Sequence, residues 1–133
     1  MKEFILDGVS LDIETIYLVA VAKPGEIKVT IKPEAREKMV ASRQFVDDIV
    51  ESGKAVYGIN TGFGALSDKF IEKKDLSKLQ YNLIRSHCTG VGNPFSIITT
   101  RAIMLLRANC LVSGFSGVTA TRSPIESMAQ QYA

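Results

Sequence analysis

The chain has 133 residues, 46% of them hydrophobic, and a formal charge of +2 from 16 basic and 14 acidic side chains. This length suits one domain with a single core. The near balance of charge argues against a large basic surface, so we expect neither nucleic acid nor a membrane as partner and favour a small or neutral one.

The cysteines and the N-terminal residues indicate whether the chain binds a metal and where in the cell it is expected. Cys88, Cys110 and the one histidine lack the spacing of a zinc site, so we predict two reduced, buried thiols and no metal. The first residues lack the basic start and apolar stretch of a signal peptide, and no apolar run approaches the ~20 residues needed to span a bilayer. We therefore expect a cytoplasmic protein.

The first third of the sequence predicts a strand, a helix and a second strand. Residues 4–6 form a short apolar run, and Ser10 is the expected cap of a helix that stops before Lys23, next to a Pro-Gly pair. Apolar and polar residues then alternate over residues 27–31, which is the period of a half-buried strand. This strand can pair with the first.

Two further helices follow. Pro33 suits the first position of a helix that Gly53 ends. Residues 65–74 have a weak pattern and predict an irregular connection. Asp75 then caps a third helix, whose apolar stripe consists of Leu76, Leu79, Leu83 and His87.

The fourth predicted helix has Asn93 as its cap and Pro94 as its first residue, and it continues through the apolar stretch of residues 97–112. It is apolar on nearly every side, which is typical of a helix in the middle of a bundle. Few other helices exist to surround it, so the chain either self-associates or sits inside something larger. Residues 114–117 are a helix stop and lack the spacing of a hydrolase nucleophile elbow.

The composition changes after residue 118. Residues 119–133 are polar, and we expect a weakly ordered tail with at most a short helix over residues 125–132. The predicted organisation is therefore one domain over residues 1–118 followed by this divergent tail. The fold class is mainly α, with a short β element near the N-terminus.

Residues 57–64 are the most distinctive stretch of the chain, with three glycines and two small polar residues around Tyr57 and Phe63. Glycine permits positive φ and close backbone approach, so the stretch predicts a shaped loop that presents a phenol. The alternative is a tight surface turn with two half-buried rings. The glycine spacing fits neither a dinucleotide fingerprint nor a phosphate-binding loop.

Tyr57 and His87 are the candidate chemical groups, although each has a structural alternative. A phenol with the ordinary pKa of about 10 must be activated by its surroundings before it can take a proton at neutral pH. His87, on an apolar stripe near a helix end, also fits a hydrogen-bonded core histidine.

Three stretches together resemble the N-terminal part of the histidine ammonia-lyase family. They are the loop at residues 57–64, residues 79–92 with the Ser86-His87 pair, and residues 101–118. Their order and separations match, which makes the resemblance specific from about residue 32 to residue 118. The implied fold is the helical N-terminal part of an ammonia-lyase.

The resemblance implies a lyase that removes ammonia from an aromatic amino acid, with L-histidine as the expected substrate and urocanate as the product. In that family an Ala-Ser-Gly tripeptide cyclises to a methylidene-imidazolone electrophile. Tyr57 matches the tyrosine that works at the proton-transfer step, and Ser86 and His87 match the pair that recognises the substrate imidazole. The site loop is implied to comprise Gly58, Asn60, Thr61, Gly62, Phe63 and Gly64.

One departure limits what the resemblance implies. The sequence contains no Ala-Ser-Gly, and the nearest string, Val112-Ser113-Gly114, occupies the helix-end motif. The family's chain is several times longer and forms tetramers. We therefore expect a fragment or truncated relative that is inactive alone and forms a homo-oligomer. The alternative is a non-catalytic helical interaction or regulatory module that self-associates or binds a full-length lyase.

Overall fold

The computed structural model describes residues 1–119, which fall into two compact units. The first unit contains Met1–Gln44 and the described residues from Pro94 onward, and the second is Phe45–Asn93. In chain order the elements are β1 (Lys2–Leu6), α1 (Ile13–Val21), β2 (Ile27–Ile31), α2 (Pro33–Ser52), a 3-10 turn (Gly64–Leu66), α3 (Lys73–His87) and α4 (Ile97–Val112). The mainly α class with a small β element is confirmed.

In the first unit, β1 and β2 pair in parallel, with Phe4 opposite Val29 and Leu6 opposite Ile31. Parallel neighbours need a crossover connection, which α1 supplies. The predicted pairing of these two segments is confirmed. The Lys32 backbone N–H extends the pairing by donating to the Leu6 carbonyl at 2.9 Å.

The core of the first unit is built from one face of α4, the start of α2 and β1. Its buried members are Leu6, Ala35, Met39, Leu105, Ala108 and Val112. On α4 these positions recur at intervals of three and four residues, so they form one stripe. On the same helix Ile103 and Leu106 remain 49% and 48% exposed. The described residues therefore cover only one side of this apolar helix.

Polar contacts from α4 fix the turns around α1. The buried Asn109 accepts a hydrogen bond from the Gly8 backbone N–H at 3.0 Å through its carboxamide oxygen. Arg101 donates from Nη1 to the carbonyl of Ala22 at 2.6 Å. This guanidinium satisfies a carbonyl at the C-terminus of α1, where the helix dipole favours positive charge.

The segment after α4 is fastened to α2. The Gly117 backbone N–H donates to the Ser42 hydroxyl at 3.1 Å, and the Gly117 carbonyl accepts from Arg43 Nη1 at 3.2 Å. Ser113 caps the helix, which confirms the predicted helix stop. The predicted tail lies outside the described residues except for residue 119, and the domain boundary at residue 118 stays a prediction.

The predicted cap of α1 is wrong. Asp7 accepts hydrogen bonds from the backbone N–H groups of Val9 and Ser10, so Ser10 lies in a turn that ends before the helix begins. Asp12 is the N-cap instead, accepting from the Thr15 backbone N–H at 2.7 Å.

The other two predicted caps are also wrong. Helix α3 begins at Lys73 with Glu72 as its cap, so Asp75 lies inside the first turn, where its charge faces the helix dipole favourably. Helix α4 begins at Ile97 and not at Pro94, because the Ser96 hydroxyl accepts the Thr99 backbone N–H at 3.1 Å. The predicted helix end before Gly53 is confirmed, with that glycine at φ 66°.

Both cysteines are free thiols, but the prediction that they are buried is wrong. Cys88 follows the last residue of α3, outside any packed stripe. Cys110 lies two residues from both Ala108 and Val112, and therefore faces away from the side of α4 that packs in the core. Within residues 1–119, no helix is both long and apolar enough to cross a membrane.

Candidate active site

Asn60 organises the loop that follows α2 in the second unit. Its side chain is fully buried. The carboxamide oxygen accepts from the Val56 backbone N–H at 2.7 Å, and Nδ2 donates to the Lys54 carbonyl at 2.8 Å. One amide thus satisfies both a donor and an acceptor of an otherwise irregular backbone. Asn60 therefore holds residues 54–60 in a closed turn, with Tyr57 near its tip.

The second half of the loop is fastened to the chain that leads into α3. Thr61 is buried and forms an antiparallel bridge with Phe70. The Gly62 backbone N–H donates to the Lys69 carbonyl at 2.9 Å, and the Ile71 N–H donates to the Asn60 carbonyl at 2.8 Å. These bonds give the loop ladder-like support that the sequence pattern of residues 65–74 does not reveal.

Gly58 and Gly62 illustrate two different physical reasons for glycine in this loop. Gly58 has φ 81°, a left-handed backbone that disfavours a Cβ atom. A Cβ on Gly62 would lie 2.6 Å from the Leu66 carbonyl oxygen, because the 3-10 turn folds back over it. The prediction of a shaped loop built on glycine is confirmed in its geometry.

Tyr57 is presented at the surface, with 64% of the residue exposed. Its ring meets the half-buried Phe63 edge to face, with centroids 6.2 Å apart and planes at 72°. Such a pair restricts the phenol without covering its hydroxyl. The alternative of two half-buried rings holds for Phe63 and fails for Tyr57.

Tyr57 also borders an open depression of about 440 Å³ that Gly64, Ser67 and Asp68 help to line. Asp68 forms an ion pair with Lys69 at 3.2 Å. Sequence reasoning did not identify Ser67 or Asp68, since they lie beyond the glycine loop in the stretch with the weakest pattern. The fold of the 3-10 turn brings them beside the phenol.

His87 does not take the inward position that its stripe predicted. Leu76, Leu79 and Leu83 of α3 are partly buried, whereas His87 and Ser86 are exposed. The alternative of a buried core histidine also fails. Both side chains make hydrogen bonds within α3 itself, where His87 Nδ1 lies 2.9 Å from both the Ser86 hydroxyl and the Leu83 carbonyl oxygen.

The end of α2 and the start of α3, which flank the loop in sequence, are joined within this unit by an ion pair. Lys73, the first residue of α3, pairs through Nζ with the carboxylate of Glu51 in the last turn of α2. The described hydrogen bonds of Ser86 and His87 reach no member of the glycine loop. The predicted site residues therefore form two groups, one on the loop around Tyr57 and one at the end of α3.

No segment of this sequence fits the Ala-Ser-Gly precursor of the methylidene-imidazolone. In the nearest string, Ser113 caps α4 and its hydroxyl donates to the Cys110 carbonyl at 2.7 Å. Gly114 lies against Lys38, where a Cβ would come within 2.9 Å of that side chain. This string is a helix terminus packed on α2, which does not fit the role of an electrophile precursor.

The fold and the loop-borne tyrosine define a helical, lyase-like N-terminal region, and comparison with known proteins gives its family. The profile described as "Aromatic amino acid lyase" matches residues 11–130. The chain belongs to this aromatic amino acid lyase family.

Individual relatives agree with this family assignment. Histidine ammonia-lyase of Chloroflexus aurantiacus is 48% identical over 118 residues, which is 89% of this chain and 23% of the relative. The crystal structure of histidine ammonia-lyase from Trypanosoma cruzi superposes with a TM-score of 0.85 and 34% identity, over 99% of this chain and 25% of that one. Tyrosine aminomutase from Streptomyces globisporus gives a TM-score of 0.84 and 33% identity, over 96% and 23%.

Two facts follow from these comparisons. The chain spans about 23% of the length of the curated relatives that it matches. The same fold also occurs in an aminomutase named for tyrosine, so the fold does not by itself select a substrate.

Proposed function

We propose that this chain carries the tyrosine-bearing wall of a histidine ammonia-lyase active site, for the non-oxidative deamination of L-histidine to urocanate and ammonia. The observation that supports it most is the presentation of Tyr57. This phenol is exposed on a loop whose neighbouring residues Asn60 and Thr61 are buried and hydrogen-bonded. A rigid support under an exposed acid–base group is what proton transfer requires.

Each residue group has a distinct proposed role. Tyr57 exchanges a proton with the substrate, while Asn60, Thr61 and Gly62 hold its loop in place and Phe63 limits the orientations of its ring. His87 supplies a directional hydrogen bond to the substrate imidazole. The electrophilic step is left to residues outside this sequence, so the chain alone is proposed to be inactive.

A chimera tests this role. Residues 1–118 replace the matching segment of the Chloroflexus aurantiacus histidine ammonia-lyase, and urocanate formation is followed by ultraviolet absorbance. We expect an active chimera whose kcat falls by about 10²–10⁴-fold on Tyr57→Phe, the range typical of a general acid–base group. Tyr81→Phe, which changes another exposed tyrosine of the second unit, is the matched control.

Two results would contradict the proposal. One is a Tyr57→Phe chimera as active as the Tyr81→Phe control. The other concerns the 133-residue chain alone, for which we expect no urocanate from L-histidine. Turnover by the chain above that of its own Tyr57→Phe variant would overturn the assigned inactivity.

A non-catalytic interaction module is the second candidate, and the exposed side of α4 favours it. Ile103 and Leu106 lie on that side, and an apolar helix face of this kind is typically covered by protein. In this proposal the chain self-associates as a homo-oligomer or binds a full-length lyase. Sedimentation that shows a monomer with no affinity for the Chloroflexus enzyme would count against the module.

A further inference from the structure

The imidazole of His87 lies in a small hydrogen-bond network at the end of α3. Its Nδ1 is 2.9 Å from the Leu83 carbonyl oxygen and 2.9 Å from the Ser86 hydroxyl oxygen. The Ser86 hydroxyl itself donates to the Leu83 carbonyl at 2.8 Å. The network therefore contains three groups within hydrogen-bond distance of one another.

The chemistry of these groups selects one tautomer. A carbonyl oxygen only accepts, so its contact with Nδ1 is favourable only when Nδ1 carries the hydrogen. The Ser86 hydroxyl has already committed its hydrogen to Leu83, and its oxygen can then accept from the same Nδ1–H. The opposite tautomer would place the Nδ1 lone pair against the Leu83 carbonyl oxygen.

We infer that Ser86 is a positioning residue for His87 and not a contact of the substrate. Together with the Leu83 carbonyl, its hydroxyl holds neutral His87 as the Nδ1–H tautomer. Nε2, the nitrogen that makes none of these bonds, keeps its lone pair on an exposed side chain. This assignment differs from the sequence-based prediction, in which both residues bind the substrate.

The tautomer defines what His87 can recognise. Nε2 acts as a hydrogen-bond acceptor, so it takes a ligand that offers an N–H or O–H donor, such as a neutral imidazole ring. An unsubstituted phenyl ring offers no such donor. The identification of the ligand rests on the proposed function, whereas the tautomer rests only on the geometry around His87.

The tautomer can be measured directly because His87 is the only histidine in the chain. Long-range proton–nitrogen NMR on the 15N-labelled 133-residue chain reports which ring nitrogen is protonated. The pH is raised until the ring nitrogen shifts no longer change, and the tautomer ratio is read there. We expect the Nδ1–H form to predominate, to decline in Ser86→Ala and to be retained in Ser86→Thr, which keeps the hydroxyl.

Two outcomes overturn the inference. The first is a wild-type chain in which Nε2–H predominates, and the second is a Ser86→Ala chain that keeps the wild-type tautomer ratio with unchanged circular dichroism. Neither measurement requires turnover. If the chimera were active while His87 was mainly the Nε2–H tautomer, this inference would be wrong and the proposed role of Tyr57 would stand.

The active chimera provides a second readout. Weaker orientation of His87 in Ser86→Ala should raise KM for L-histidine by about 2- to 10-fold with a smaller change in kcat, because roughly one hydrogen bond is lost from the network. Ser86→Thr should restore KM. A KM unaffected by Ser86→Ala, or a loss that Ser86→Thr does not rescue, would argue against positioning through the hydroxyl.

Discussion

The carboxamide of Asn60 closes the turn that carries Tyr57, because its oxygen accepts the Val56 backbone N–H at 2.7 Å while Nδ2 donates to the Lys54 carbonyl. Asn60 is fully buried, whereas Tyr57 is 64% exposed. The residue that fixes the loop and the residue that faces solvent thus lie three positions apart. This relationship explains why a stretch so rich in glycine can hold a phenol in a defined place.

Asn60→Ala should destabilise the loop by about 1–3 kcal/mol, because truncation of this buried side chain leaves the part-buried Val56 N–H and Lys54 carbonyl without their partner. Urea unfolding of the chain measures this loss, and hydrogen exchange at the Val56 amide localises it. Asn82→Ala, an exposed position on α3, is the matched control and should stay within about 0.5 kcal/mol of wild type. Equal effects of the two variants would contradict a structural role for the Asn60 amide.

Gly62→Ala should destabilise the chain by about 1–3 kcal/mol, the usual range for overpacking. The new Cβ would lie 2.6 Å from the Leu66 carbonyl oxygen and 2.7 Å from the Leu66 Cβ. Gly90→Ala tests the background effect of replacing glycine, since a Cβ there meets nothing within 4 Å. Thermal unfolding that ranks Gly90→Ala as the more harmful substitution would be incompatible with this packing.

The Asp7 turn should make the first unit sensitive to acid. Hydrogen bonds from the backbone N–H groups of Ser10 and then Val9 lower the pKa of the Asp7 carboxyl from 3.8 to about 2. A carboxyl with a depressed folded-state pKa stabilises the fold above its unfolded pKa, and this contribution disappears as pH falls from 3.8 towards about 2. The Thr15 N–H similarly lowers the pKa of Asp12.

Unfolding midpoints measured between pH of about 5 and about 2 test this assignment. Asp7→Asn should flatten the decline in stability within the window, since the amide does not titrate. Glu37→Gln, at an exposed position inside α2, is the control and should follow the wild-type curve more closely. A wild-type slope retained in Asp7→Asn would exclude the Asp7 turn as its source.

Local sequence determined the elements whose signals are contained in a few neighbouring residues. The alternation over residues 27–31 specified β2, Pro33 and Gly53 bounded α2, and the apolar run specified the body of α4, although not its first residue. The glycines of residues 57–64 likewise predicted a shaped loop. These predictions succeeded because strand alternation, the fixed φ of proline and the positive φ of glycine depend only on residues that are close together in the sequence.

Which of several suitable N-cap residues starts a helix depends on local geometry that the sequence pattern does not reveal. Ser10, Asp75 and Asn93 are all suitable N-cap residues. The Asp7 turn takes the backbone N–H of Ser10, and the Ser96 hydroxyl starts α4 three residues later than Asn93 predicts. Several acceptable caps within a few residues differ by too little free energy for sequence alone to rank them.

The sequence by itself determined that this chain has the helices, the glycine loop and the Tyr57 and His87 motifs of an aromatic amino acid lyase. Only the tertiary structure decided that Asn60 is buried while Tyr57 is exposed, and that His87 is exposed at the end of α3. It also decided that Asn109 on α4 receives a hydrogen bond from Gly8, which lies 101 residues earlier. The physical reason is that burial and long-range hydrogen bonds depend on which surfaces meet, and residue type and periodicity do not specify that choice.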